Sequence, residues 1–480
     1  MKNIFISILI LFIFSCTKHS EQEDDYRDSI LVSIGDHIIL KNEFIQRSEY
    51  VIRPNYCSKN NNIHKQIVLN SLIAEKLLAI EGKEVFNDSV INNYIKGLKE
   101  QSMREKLFFT KTNLFKKLDN IEFNEFRETA DRIYNLSFVM LNKVQAEMIM
   151  ENTNMFSELT DNIFNTENLN TKDVSFFGEN NYSLCHNIFS KKHNKFDIIG
   201  PLAMDDGTYV LIRVEGWNSE RRLSENSQKE YIKNIRDHLT RLRKIDTYAN
   251  FIHDIMKNKV LNFNHSVLLK LIKNFYYENL KFEKSKKDLF REAIWGENKL
   301  VLTGKYSSID IGKDEVIFNL DGMDWTMEEL QNLINLHPLV FRENKISKEN
   351  FPEAVKNAIA DLIRDKFLTS EAYKLSYDQD LYIMQYVEMW KEHFIASSLR
   401  LKLLESKPDD LQEVEFLNPI IDGLLLKYSN KIEINFELLD EINLTRIPMH
   451  IVNKNAAYQS PIPQFPILTD NFKINYGKSK

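Results

Sequence analysis

The segment ILVSIGDHIILKNEFIQR, residues 30–47, carries the clearest structural signal in this chain of 480 residues. Two short apolar runs flank Gly35 and Asp36, which predicts two strands joined by a tight turn. Asn42 can cap a helix that begins where the second strand ends. Further along, LNSLIAEKLLAIEG, residues 69–82, has apolar side chains near helical spacing and ends in glycine. The chain is therefore expected to begin with a hairpin followed by helices.

Composition favours long helices. The chain has only 13 glycines and 10 prolines, so turn-forming residues are scarce for its length. Its 43% hydrophobic and 28% charged residues are typical of globular proteins. A net charge of −6 gives no basic surface for nucleic acid. We expect an α+β fold that is mainly helical.

The opening pattern recurs in the second half of the chain. A strand is predicted at 316–320, followed by a turn at 321–322 and a helix near Glu329. The phrase LIRDKFL, residues 362–368, then resembles LIAEKLL, residues 72–78, at an offset of 290 (362 − 72). The helix openings are offset by 286 (330 − 44). These offsets predict a duplicated module, although the phrase is also common in unrelated amphipathic helices.

The first residues have the pattern of a bacterial lipoprotein leader. Lys2 precedes an apolar run, Ile4 to Phe14, that is too short to span a bilayer. The run ends at Cys16 with isoleucine three positions before it and serine directly before it, which predicts lipidation of Cys16. Residues 17–28 then form a polar tether. An ordinary secretory signal that contains a cysteine is the alternative.

Two other cysteines are present, Cys57 and Cys185, and their spacing fits neither a metal site nor a redox motif. A disulfide outside the cytoplasm and two isolated core thiols are both compatible with the sequence. The histidines are scattered without metal-ligand spacing, so no metal and no cofactor is expected.

The quoted segments resemble the N-terminal chaperone module of SurA-type and PrsA-type periplasmic foldases. Residues 133–217 are similar to a parvulin peptidyl-prolyl isomerase domain: an opening strand, a helix with Ala146, the Phe177-Gly178 pair, the IGPL segment at 199–202 and the last strand DGTYVLIRVEGW. The resemblance implies binding of unfolded client proteins. It also implies a parvulin-like α/β fold for the middle of the chain.

The catalytic pattern departs from the parvulin family. Active members carry a histidine in the opening strand, where this chain reads LSFVML at 136–141. A second family histidine in the last strand aligns with Val210, beside Tyr209. We therefore expect no catalytic residues and a degenerate site formed by Phe138, Phe177, Tyr209 and Val210. Cys185, His186 and His193 could supply polar groups to an altered site, but a surface loop with chance histidines is the favoured interpretation.

The sequence thus predicts a membrane-anchored chaperone or foldase-like protein at the periplasmic side of the outer membrane, with exposure on the cell surface left open. Its partners would be unfolded or outer-membrane client proteins. Alternatives are an active prolyl isomerase with an altered site and an accessory lipoprotein of an outer-membrane complex. The expected segments are a signal peptide (1–16), a tether (17–28), a first module (29–130), a degenerate parvulin-like domain (131–218), a charged helical connector (219–295), a second module (296–406) and a C-terminal helix with an extended proline-rich tail (407–480).

Overall fold

The computed structural model describes residues 29–83, 89–152, 156–165, 169–204, 207–219, 224–276, 311–343, 346–445, 449, 451–453 and 456–479. The predicted leader, the tether and Cys16 lie outside these residues, as does the end of the predicted connector. Helix makes up 57% and strand 15%, which confirms a mixed α+β fold with helix predominating. No helix among the described residues is both long enough and apolar enough to cross a membrane.

Helices and strands are numbered in chain order. The helices are α1 Lys41–Glu49, α2 Asn62–Gly82, α3 Ser89–Thr112, α4 Asn120–Arg127, α5 Lys143–Glu151, α6 Phe156–Phe164, α7 Tyr182–Phe189, α8 Glu225–Met256, α9 265–276, α10 Met327–Leu336, α11 Phe351–Lys374, α12 Leu381–Leu404, α13 Glu413–Tyr428 and α14 Phe436–Glu441. The strands are β1 Ile30–Ile34, β2 His37–Leu40, β3 Arg132–Leu141, β4 Asn170–Ser175, β5 Ile198–Ala203, β6 Tyr209–Ser219, β7 Leu261–Phe263, β8 Val316–Leu320, β9 Met323–Thr326, β10 Ile432–Ile434 and β11 Lys478–Ser479.

The chain divides into two compact units. We call Met1–Glu105 with Asn258–Lys480 the split unit, and Lys106–Lys257 the central unit. These boundaries differ from the expected segments. The central unit includes residues 106–130, which were expected to end the first module. It also includes α8, which was expected to belong to the connector. The N-terminal and C-terminal parts of the chain share the split unit.

Helix α2 explains why the two ends of the chain come together. Residues 67–79 are buried on every side of this helix, so other parts of the chain must cover it all round. Helix α12 packs along it. The C-terminal segment supplies further cover: its side chains Leu417, Ile434 and Phe465 lie in the same core as Leu72. The proline-rich tail is therefore extended, as predicted, but most of it packs into the core. This packing was not predicted.

Backbone pairing holds the same assembly together. Strand β10 pairs antiparallel with β1, with Val32 opposite Ile434, and the sheet order is β11-β10-β1-β2. The amide of Asn70 on α2 donates to the carbonyl of Asn471 at 2.7 Å, and the Ser71 hydroxyl donates to Thr469 O at 3.2 Å. The buried polar side chains Asn70 and Ser71 of α2 are thus satisfied by the tail.

The hairpin-and-helix order recurs in the split unit. The strand predicted at Val316–Leu320 is present, and β8, β9 and α10 each begin 286 residues after β1, β2 and α1 (316 − 30, 323 − 37, 327 − 41). Asp321 and Gly322 both have positive φ, as the tight turn of a two-residue hairpin requires. Leu362 is buried on α11, as Leu72 is on α2. We call β1, β2, α1 and α2 the first hairpin module, and β8, β9, α10 and α11 the second.

The central unit contains an antiparallel sheet in the order β4-β3-β6-β5. Strand alternation divides its side chains between two faces. One face, which we call the α8 face, packs Leu136, Ile212 and Val214 against α7 and α8. The opposite face, which we call the α5–α6 face, packs Leu141 and Leu211 against those two helices. Both faces of the sheet are therefore covered by helices.

Candidate functional site

Two of the four predicted site residues share the α8 face of the central sheet. Phe138 lies opposite Ile212 in the β3–β6 pairing, and Val210 is two residues from Ile212 on the same strand. Val210 is only 5% exposed and belongs to the core that includes Leu239 of α8. The position expected to hold a family histidine is therefore occupied by a packed aliphatic side chain.

The other two predicted residues lie elsewhere, so the four do not form a single pocket. Tyr209 neighbours Val210 in the chain and points to the opposite face, where it packs with Leu211 and Ala146. Phe177 follows β4 in a short 3-10 turn and is 39% exposed. The expectation of one degenerate site is corrected for Tyr209, because successive side chains along a strand point to opposite faces. Phe177 is separate for another reason, since it lies in the turn after β4.

His238 on α8 is a residue near Phe177 that the sequence did not single out. Its ring centroid lies 5.0 Å from Phe176 and 5.4 Å from Phe177. Burial, with the nearby positive charge of Arg241, lowers the pKa of His238 to about 4. Arg241 Nη2 donates to Nδ1 at 3.1 Å, as a neutral ring allows. The only signal in the sequence is its spacing with Ile235, Leu239 and Leu242 on the buried stripe of α8.

Polar groups in the middle of the central unit have structural partners. His193 is buried, its Nε2 lies 2.9 Å from Asn187 O, and burial lowers its pKa.

Cys185 is a free, buried thiol whose pKa is raised by burial. Cys57 is likewise free and buried, in the core of the split unit, and burial raises its pKa to about 12. The two cysteines are isolated core thiols.

A buried ionic cluster joins α1, α2 and α12 in the split unit. Lys76 Nζ lies 3.1 Å from Glu43 Oε1 and 2.5 Å from Glu392 Oε2. The two terminal guanidinium nitrogens of Arg47, Nη1 and Nη2, donate to the Glu75 carboxylate at 2.8 and 2.9 Å. Burial alone would raise the pKa of Glu75, but the Arg47 charge, with a hydrogen bond to His393, outweighs it and holds the pKa at about 2.

The edge of this cluster has donors that could hold a cation. His37, Glu388 and Glu392 offer ligand atoms within 4.8 Å of one another. Glu392 is already bonded to the ammonium of Lys76 and to His37 Nδ1, at 2.5 and 2.6 Å. A divalent cation would have to displace or approach that ammonium, so the arrangement favours a structural ion-pair cluster.

The split unit also has an open groove of about 550 Å³. Helix α3 forms one wall, and the second hairpin module forms the other. The lining combines one tryptophan and two leucines with amides and charged groups: Asn93, Lys96, Trp325, Glu329, Asn332, Leu333, Asn335, Leu336 and Lys366. An open groove with both apolar and hydrogen-bonding groups can bind a flexible polymer along its length.

Comparisons of the chain with known protein families, with curated proteins and with solved structures give no match. The interpretation of function therefore rests on the groove, the central sheet and the repeated module.

Proposed function

We propose that this chain is a membrane-anchored periplasmic chaperone that binds unfolded client proteins, outer-membrane proteins among them, without prolyl isomerase activity. The observation that carries the proposal is the open groove between α3 and the second hairpin module. Lysine and asparagine side chains give the lining polar groups, while Trp325 and Leu333 give it apolar surface. Such a lining suits segments that alternate between polar backbone and apolar side chains.

The repeated hairpin module supports the same proposal. Its order of strand, turn, strand and helices is the order on which the resemblance to SurA-type and PrsA-type chaperone modules rests. Binding would be passive, because it needs only burial of apolar side chains and hydrogen bonds to the client backbone. Affinity for any one segment would be modest, and release would need no chemical energy.

The central unit would act as a parvulin-shaped domain without catalysis. Rotation about a prolyl peptide bond has a barrier of roughly 18–20 kcal/mol, and catalysis requires tighter binding of the twisted amide than of the planar one. Val210, buried under α8, offers no hydrogen bond for that purpose. A placed donor commonly contributes about 10²–10⁴-fold in rate, so its loss predicts activity near background.

One observation favours the alternative of an altered isomerase site. His238 lies beside Phe177, a ring that is partly open to solvent, and a neutral imidazole can donate or accept a hydrogen bond. This alternative predicts measurable isomerisation that disappears in a His238→Phe variant.

The experiment combines two assays on the mature chain. We expect it to suppress aggregation of a chemically unfolded model protein in a dose-dependent manner. We expect the rate in a protease-free assay on a proline tetrapeptide to equal the uncatalysed rate. Failure to suppress aggregation would refute the chaperone proposal. Isomerisation above background that His238→Phe abolishes would replace it with the altered-site enzyme.

A further inference from the structure

Two helices present polar side chains to the groove at matched spacing. Asn332 and Asn335 are three residues apart on α10, so they project from the same side of that helix. Asn93 and Lys96 have the same spacing on α3. A side-chain amide carries a donor and an acceptor side by side, which matches the N–H and C=O of a peptide backbone. The groove therefore has hydrogen-bonding groups along both walls.

These amides are available for a ligand. Within the ranges that the structure describes, the side chains of Asn93 and Asn332 make no hydrogen bond, and both residues are exposed. Asn335 accepts one bond from Gln331 at 3.0 Å through Oδ1, which leaves its NH₂ group to donate. Glu329, the one carboxylate in the lining, is engaged at the start of its helix, where its Oε2 accepts from Thr326 N at 2.8 Å.

Gly97, next to the lining residue Lys96, sets how closely α3 approaches the end of α10. A Cβ at this position would lie 2.1 Å from Leu336 O and 1.9 Å from the hydroxyl of Tyr458. Only glycine allows α3 to approach the end of α10 this closely. Tyr458 donates through its hydroxyl to Leu336 O of α10 and through its backbone N–H to Gln101 of α3, at 3.0 Å for the second bond, and so links the two helices. The groove is a built feature rather than a gap between loosely packed helices.

Charge and ring contacts indicate which polymer fits. Two lysines, Lys96 and Lys366, face one carboxylate, Glu329, in the lining, so the groove carries a net positive charge. The Trp325 indole stacks on Phe318 with a centroid distance of 5.4 Å, and the Lys366 ammonium lies 5.5 Å from its centroid. A sugar ring would compete with these partners for the indole faces, whereas a polypeptide needs only the edge of the ring and the amides.

We propose that this groove binds an extended, uncharged or acidic polypeptide segment through its backbone, with Asn93, Asn332 and Asn335 as the backbone-binding residues. The inference rests on the proposed chaperone function and names the site that performs it. Because amides bind the backbone, side chains of the client matter little except for lysine and arginine, which the two lysines repel.

The test measures fluorescence anisotropy of a short, unstructured, fluorescein-labelled peptide that lacks lysine and arginine. The triple variant Asn93→Ala/Asn332→Ala/Asn335→Ala is compared with Asn92→Ala. Asn92 is exposed on the same helix but does not line the groove, and asparagine-to-alanine changes raise helix propensity in every case, so they should not unfold the helices. We expect binding to weaken about tenfold or more in the triple variant and to stay unchanged in the control.

A second measurement guards against misfolding of the triple variant. A photoreactive benzophenone residue in place of Asn93 should cross-link the peptide, and the same residue in place of Asn92 should not. Suppose that the wild-type chain binds the peptide, that the triple variant binds it equally well, and that positions 93 and 92 cross-link it equally. The groove assignment then fails, and the chaperone function stands. If the wild-type chain binds no peptide, both fail. Binding of a cello-oligosaccharide that the triple variant loses, without peptide binding, would overturn the assignment in favour of a glycan site.

Discussion

Replacement of Arg47 by methionine should strongly destabilise the split unit. Arg47 is fully buried, donates two hydrogen bonds to Glu75, and donates a third to Gln464 O at 2.8 Å. It therefore connects α1 with α2 and with the C-terminal tail. Methionine keeps most of the volume of the arginine side chain. The Glu75 carboxylate, which is only 3% exposed, then keeps His393 as a partner but loses both bonds from Arg47.

The magnitude follows from the charge left behind. Loss of one partner of a buried pair typically costs about 3–5 kcal/mol. The pKa of Glu75 gives a comparable figure: a change from 4.5 to about 2 corresponds to about 3 kcal/mol of preferential stabilisation of the carboxylate, shared between Arg47 and His393. In the double variant Arg47→Met/Glu75→Met, most of the loss should be recovered, because replacing both charges by apolar groups is close to neutral.

Urea titrations of the mature chain measure these effects, with hydrogen exchange of α2 amides localising them to the split unit. Arg342→Met is the matched control. Arg342 also forms a two-bond pair, with Asp361 at 2.8 Å, but its side chain is 47% exposed, so its loss should cost no more than about 1 kcal/mol. Equal effects of Arg47→Met and Arg342→Met, or a double variant no more stable than Arg47→Met, would refute the reasoning.

Three further predictions concern the anchor, the thiols and acid stability. Cys16→Ser should move the protein from the membrane fraction to the soluble fraction, because several acyl chains hold a protein firmly; unchanged fractionation would refute lipidation. Cys57 should react with a thiol reagent about 1000-fold more slowly than an ordinary exposed cysteine until urea unfolds the chain, since its pKa of about 12 stands 3 units above the usual 9.0 (12 − 9); rapid labelling of the native chain would contradict its burial. The lowered pKa of Glu75 contributes stability that is complete above about pH 4.5 and lost as pH falls towards about 2. Urea midpoints should therefore fall over that range in the wild type and fall less steeply in Glu75→Gln, and identical slopes would contradict the assignment.

The sequence predicted the first hairpin, and strand β8 with the turn after it, because their signals are local. Apolar residues before Asp321 and Gly322 specify strand and turn within a few positions, and β8 begins and ends where expected. Strand β9, Met323–Thr326, was not predicted. The pairing of Val32 with Ile434 has no such local signal, since each strand is short and its partner lies at the other end of the chain. The C-terminal residues Ile462 and Phe465 looked like an extended tail, and their burial depends on the shape of α2.

The candidate sites show the same division. The apolar character of Val210 was readable from the sequence, and its burial agrees with it. Tyr209 and Val210 point to opposite faces of the sheet, as adjacent residues of one strand must. The groove could not be predicted from the sequence, because Asn93 and Asn332 belong to helices far apart in the chain, which approach each other closely at Gly97.

The central claim, recognition of unfolded polypeptide, is tested most directly by comparing two forms of one small disulfide-bonded protein. One form is native, and the other is reduced and carboxymethylated so that it stays unfolded. Binding of the mature chain to each is measured by isothermal titration calorimetry at the same ionic strength. We expect binding to the unfolded form and none to the native form. Equal binding to both forms, or no binding to either, would contradict it.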